Sequence, residues 1–158
     1  AQHKLIEAFS NRCVQKIYLA VLAGVPQDGA VVSEPIGRHP IKKKYAVMSK
    51  GEGQPAITHF QLLATDGHAS LVAVRIGTGR THQIRVHAEH LGCPVLGDTL
   101  YSQKKRGQHH HVSRLLLHAF QLQVPHPLSG HPLTIRASPP RDLVQLGASL
   151  VGGAVSGF

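Results

Sequence analysis

The chain has no tryptophan, one methionine, and only three tyrosines and four phenylalanines among its 158 residues. Aromatics are therefore few, and the interior must be built mostly from Leu, Val, Ile and Ala. Cysteine is equally scarce. Cys13 and Cys93 stand far apart without CxxC spacing, which argues against a zinc ribbon or a disulfide framework. Two buried free thiols in a reducing compartment is the preferred reading. No apolar run approaches the ~20 residues of a membrane-spanning helix. No basic amphipathic stretch is long enough to lie along a membrane surface, and no signal-peptide pattern is visible. Acid is the other shortage: eight Asp and Glu face 17 Lys and Arg, a net charge of +9. Such a surplus speaks of partners, and nucleic acid leads over an anionic membrane or an acidic protein.

What is present suits one domain with a real core. AQHKLIEAF has helical spacing and stops near Asn11. QKIYLAVLAG alternates as a strand of about eight residues, ended by Gly24 and Pro26. Its Ile17, Leu19, Val21 and Ala23 share one face, and Lys16, Tyr18, Ala20 and Leu22 share the other. VVSEPI is a short strand broken by Pro35, and GRHPIKKK reads as a basic loop. ITHFQLLAT and ASLVAVRI pair through a turn at Asp66-Gly67. THQIRVHAEHLG reads as a helix, with Ile84, Ala88 and Leu91 at i, i+4 and i+7 and Gly92 as its C′ residue. QKKRGQHHH is a polar, basic loop. SRLLLHAFQLQV and HPLTIRAS are two further strands, and PPRDLVQLG is a short C-terminal helix. The sum is an α+β domain: a mixed, mainly antiparallel sheet with helices packed on it. It is expected over residues 1–147, followed by a small apolar tail at 148–158.

The richest stretch is RIGTGRTHQIRVH, where Arg75, Arg80 and Arg85 crowd with His82, Gln83 and His87. A strand ending in Gly-Thr-Gly bends sharply, and a helix begins near Thr81. Its N-terminus offers free N–H groups to a phosphate or carboxylate. So many donors with so few local acids look like half of a site, since buried donors need acceptors. Two further basic runs, Lys42-Lys43-Lys44 with Arg38 nearby and Lys104-Lys105-Arg106, are candidates for RNA backbone contact. Three adjacent histidines, 109–111, have neither the geometry nor the companions of a metal site, and no metal or cofactor is expected.

GRTHQIRVHAEHLGCPVLGD resembles the signature of the RluA-type RNA pseudouridine synthases. KIYLAVLAG, PIGRHPIKKKYAV, PAITHF and RLLLHAFQLQVPHP extend the resemblance in the same order over roughly residues 1–138. It implies a pseudouridine synthase catalytic-domain fold, incomplete at the N-terminus. It also implies an isomerase that detaches a uracil and rejoins it through carbon 5 without a cofactor. By the same resemblance Arg85 pairs with an attacking aspartate and Tyr18 packs on the target base. Ile84 touches ribose or base, and Arg80, Thr81, His82 and Gln83 surround the flipped nucleotide. Asp98 matches a position read as structural. The aspartate motif of the family, HRLDxxTSG, is not in this sequence. One expectation places it before Ala1, which lacks Met and opens in mid-helix. The other makes the protein an inactive relative, an RNA-binding structural or ribosome-assembly factor. RNA, ribosomal or transfer, is the expected partner, with no membrane. The expected place is intracellular, cytoplasmic or mitochondrial, and not secreted.

Overall fold

A computed structural model describes residues 2–11, 13–102 and 112–151. Within them lie three helices and eight strands: α1 Gln2–Ser10, β1 Gln15–Ala23, β2 Val31–Val32, β3 Ile36–Arg38, β4 Tyr45–Val47, β5 Thr58–Thr65, β6 Ala69–Ile76, α2 Gln83–His90, β7 Leu117–Pro125, β8 Pro132–Arg136 and α3 Arg141–Ser149. Six strands form one sheet in the order β2-β5-β6-β1-β7-β8, every pairing antiparallel. β3 and β4 form a separate hairpin. This is the α+β architecture expected from the alternating, hairpin-connected strands.

The alternation in β1 sorts its side chains onto two faces. Ala20 and Leu22 join Phe60, Val72, Val74 and Ile76 beneath α2, which contributes Ile84 and Ala88. Leu19 and Val21 join Leu71 on the other face beneath α3, which contributes Leu143. Each such fully buried aliphatic or aromatic side chain is worth about 1.5–3 kcal/mol in burial, so the two faces together hold β1 at the centre of the sheet. α1 leans on β7 through Leu5 and Ala8, against Leu122 and Val124.

Several boundaries differ from expectation for local reasons. The basic GRHPIKKK segment is the tip of the β3–β4 hairpin, whose three-residue strands are too short to show a period in sequence. The β5–β6 turn holds Asp66, Gly67 and His68, with the Asp66 carboxylate accepting from the N–H groups of His68 and Ala69. The proposed boundary after residue 147 falls inside α3, and Leu150 is buried in the core beneath that helix, so residues 148–150 belong to the domain. Residues 152–158 of the expected tail, and residues 103–111 with the KKR and HHH runs, lie outside the described residues. Neither cysteine forms a disulfide; Cys93 is buried, but Cys13 is exposed, against the expectation that both are buried.

The segment from Pro94 to Asp98 threads between β1 and the entrance to β7. Leu96 donates to the Val21 carbonyl and accepts from Leu116. Gly97, at φ 76°, passes directly against the Arg114 carbonyl, where a Cβ would collide with backbone. This narrow passage delivers Asp98 beneath α2.

Candidate functional site

The corner between β6 and α2 is built by Gln83. The residue is 3 % exposed. The oxygen accepts from Thr78 Oγ1 at 2.7 Å and from the Arg80 N–H at 3.0 Å. The nitrogen donates to the Ile57 carbonyl at 2.9 Å and to Thr58 Oγ1 at 3.0 Å. One side chain thus closes the Gly-Thr-Gly bend, starts the helix and ties both to β5. Every hydrogen-bonding position of the amide is filled from within, so it has none left for a nucleotide, contrary to the expectation for this residue. The polar line continues inward. Thr58 Oγ1 lies 2.8 Å from His87 Nδ1, and His87 Nε2 lies 3.0 Å from the Glu34 carbonyl. A carbonyl only accepts, so Nε2 carries the proton and Nδ1 accepts. His87 is a neutral core imidazole, and burial first of all holds its pKa below the ordinary 6.5.

Arg85 sits one helical step beyond. Its Nε and Nη2 grip both oxygens of Asp98 at 2.7 and 2.8 Å. The Asp98 side chain is fully buried and that of Arg85 is 17 % exposed. Asp98 Oδ1 also accepts from the Leu100 and Tyr101 N–H groups. Burial pushes this carboxyl up, but Arg85 and the two backbone donors outweigh it and hold it below its ordinary value. The guanidinium lies over the Tyr101 ring, 4.9 Å from its centroid. Two of its five N–H donors are engaged, and Nη1 makes no hydrogen bond among the described residues. The result is a cation aimed by one buried carboxylate, with donors beyond the two that grip it.

His82 starts α2 in the left-handed region, φ 55°, as the only non-glycine there among the described residues. The Tyr101 hydroxyl accepts from the Tyr45 N–H at 3.1 Å and lies 3.0 Å from His82 Nδ1. The hydroxyl thus ties the hairpin backbone to the first residue of α2. Burial, then Arg85, lower the His82 pKa. Tyr45 and Tyr101 meet the His82 ring edge-on. Hydrogen bonds from Thr81 and Arg38 keep the Tyr45 hydroxyl below its ordinary pKa.

The structure brings together Arg85, His82 and the exposed Thr81, with Arg80 at the bend, where its Nε donates to the Pro55 carbonyl. Tyr18 is half-buried against the cluster that contains Ile84, on the sheet face that α2 covers. Ile84 itself is core, 4 % exposed. The crowd of arginines is not a uniform patch. Arg75 is exposed on the opposite face, level with Ile17 and His59, while Arg80 and Arg85 find acceptors within the chain. Lys44 is likewise committed: it pairs with Glu89 at 2.8 Å and lies over the Tyr101 ring. Lys42, Lys43 and Arg38 are exposed. Sequence reasoning missed Tyr101, Tyr45 and Glu89, and the pairing of Asp98 with Arg85. The bidentate requirement of an arginine near a helix start was the signal that could have led to Asp98. Among the described residues, no group of three or more His, Cys, Asp or Glu side chains could hold a metal.

The fold and this corner define an α+β domain that orients one arginine toward an anion. Comparison with known proteins then fixes the family. Residues 1–90 match the family model for RNA pseudouridylate synthase, and the chain belongs to that family. It is 41 % identical over 143 residues to an uncharacterized RNA pseudouridine synthase of Chloroflexus aurantiacus, covering 90 % of this chain and 44 % of that protein. It is 35 % identical over 156 residues to the ribosomal large subunit pseudouridine synthase D of Escherichia coli strain K12, covering 92 % and 48 %. Human RNA pseudouridylate synthase domain containing 1 superposes with a TM-score of 0.74 at 30 % identity, covering 89 % of this chain and 62 % of that one. Human RNA pseudouridylate synthase domain containing 4 gives 0.75 at 29 %, covering 95 % and 67 %. The chain spans about half the length of the curated relatives it matches.

Proposed function

We propose that the protein serves the isomerisation of a uridine to pseudouridine in structured RNA, with large-subunit ribosomal RNA as the substrate and transfer RNA as the competing one. The observation that carries this is the Arg85 guanidinium, held in a fork by Asp98 with Nη1 making no hydrogen bond among the described residues. A guanidinium fixed by Asp98 and Tyr101 would keep a second, attacking carboxylate ionised and aligned. That is what nucleophilic attack on a sugar carbon requires. Tyr18, on the same side of the sheet, supplies an aromatic face for the extruded base. The names of the relatives support the choice of ribosomal RNA. Two cysteines outside any disulfide suit a reducing site such as the cytoplasm or mitochondrion.

One observation favours a second reading, RNA binding without chemistry. Asp98 is the one carboxylate paired with Arg85 among the described residues, and it is fully buried. Tritium release from 5-tritiated uridine in large-subunit ribosomal RNA separates the two. It is measured on this chain and on any longer product of the same gene. Release abolished by Arg85→Ala supports the synthase. RNA binding with no release from either form supports the binding protein.

A further inference from the structure

Ile41 is 88 % exposed, and it sits at the tip of the β3–β4 hairpin. A single exposed aliphatic is ordinary on a protein surface; its setting here is not. Pro40 precedes it, and the exposed Lys42 and Lys43 follow. Leu128, 77 % exposed in the β7–β8 turn, has no such cations in its turn. The tip is also braced by hydrogen bonds. His39 Nδ1 accepts from the Ile41 N–H at 3.1 Å and the Lys42 N–H at 3.0 Å. The His39 N–H donates to the Lys44 carbonyl at 2.9 Å, and the Lys44 N–H to the Lys42 carbonyl at 2.7 Å. The base of the hairpin is fastened to the Arg85 corner by the Lys44–Glu89 pair and by the Tyr45 N–H on Tyr101. An apolar side chain is thereby presented to solvent on a braced backbone, directly ahead of two exposed lysines, on the element joined to the candidate site.

We propose that Ile41 is a wedge that enters a base step of structured RNA and holds it unstacked, while Lys42 and Lys43 neutralise the flanking phosphates. The proposal rests on the RNA reading above. Chemistry on a base requires taking it out of the stack, and aliphatic side chains inserted between base steps do this. A pre-formed tip loses little conformational freedom on insertion, so more of the contact goes into opening the step.

The test uses the whole chain and a short RNA hairpin with 2-aminopurine stacked beside the loop-closing uridine. Binding is read by anisotropy and unstacking by the rise in 2-aminopurine fluorescence at saturation. Wild type should bind and brighten the probe. Ile41→Ala should bind within about twofold, because the phosphate contacts remain, yet lose most of the brightening. Ile41→Leu should restore it. If Ile41→Ala binds and brightens the probe as wild type does, the wedge is wrong and the RNA reading stands. If wild type binds without brightening, the wedge is again wrong. If wild type does not bind, both fall.

Discussion

At the scale of single residues, the corner depends on groups that each do two things. Asp98 accepts the Arg85 fork and also two backbone N–H groups at the turn that follows it. Asp98→Ala leaves a partly buried cation and two donors without an acceptor. We expect a loss of about 3–5 kcal/mol, the usual cost of breaking a buried pair from one side, seen as a lower urea midpoint. Arg85→Lys should lose less stability, but it cannot reproduce the fork. How much of this was legible in sequence differs by residue. The spacing of Ile84, Ala88 and Leu91 gave α2 correctly, and Gly92 follows it at φ 73°. Arg85 stood out by position in the motif. Its partner did not, because the pairing with Asp98 crosses a loop whose path is set by packing. Gln83 looked like a ligand for a similar reason: the partners that saturate it come from β5 and the Gly-Thr-Gly bend.

At the scale of elements, the β3–β4 hairpin divides its lysines between two tasks, and substitution separates them. Lys42→Ala and Lys43→Ala should each reduce the slope of log affinity against log salt by about 0.7–0.9 in RNA titrations, without changing the melting temperature. Lys44→Ala should leave that slope nearly unchanged. It should cost up to about 1 kcal/mol in denaturation, since its charge is paired with Glu89 and partly screened by solvent. In the sequence the three lysines are equivalent. They become different only when the short strands, too brief to carry a period, set which one turns back toward α2.

At the scale of the whole molecule, the polar line from Thr78 through Gln83 and Thr58 to His87 crosses the interior between the sheet and α2, and it makes stability depend on pH. The unfolded chain takes up a proton on His87 near 6.5, while the folded chain holds this pKa lower through burial. The unfolded state therefore binds more protons below that point, and stability falls as pH drops from about 6.5. His82, lowered in the same sense, adds to the trend. Asp98 acts in a more acid window: its folded pKa is depressed, so its contribution is present above the ordinary 3.8 and is lost as pH falls through the folded value. Urea titrations at a series of pH values should show a decline beginning near neutrality, and His87→Gln should flatten the first part of it. The narrow passage at Gly97 bears on a different practical matter. Any Cβ there must drive the Arg114 backbone away from the segment that delivers Asp98, at a cost of about 3 kcal/mol or more. Gly97→Ala is thus a conditional lesion made without touching Arg85 or Asp98 themselves: a protein that folds in the cold, fails on warming, and lets the cellular role be switched off by temperature alone.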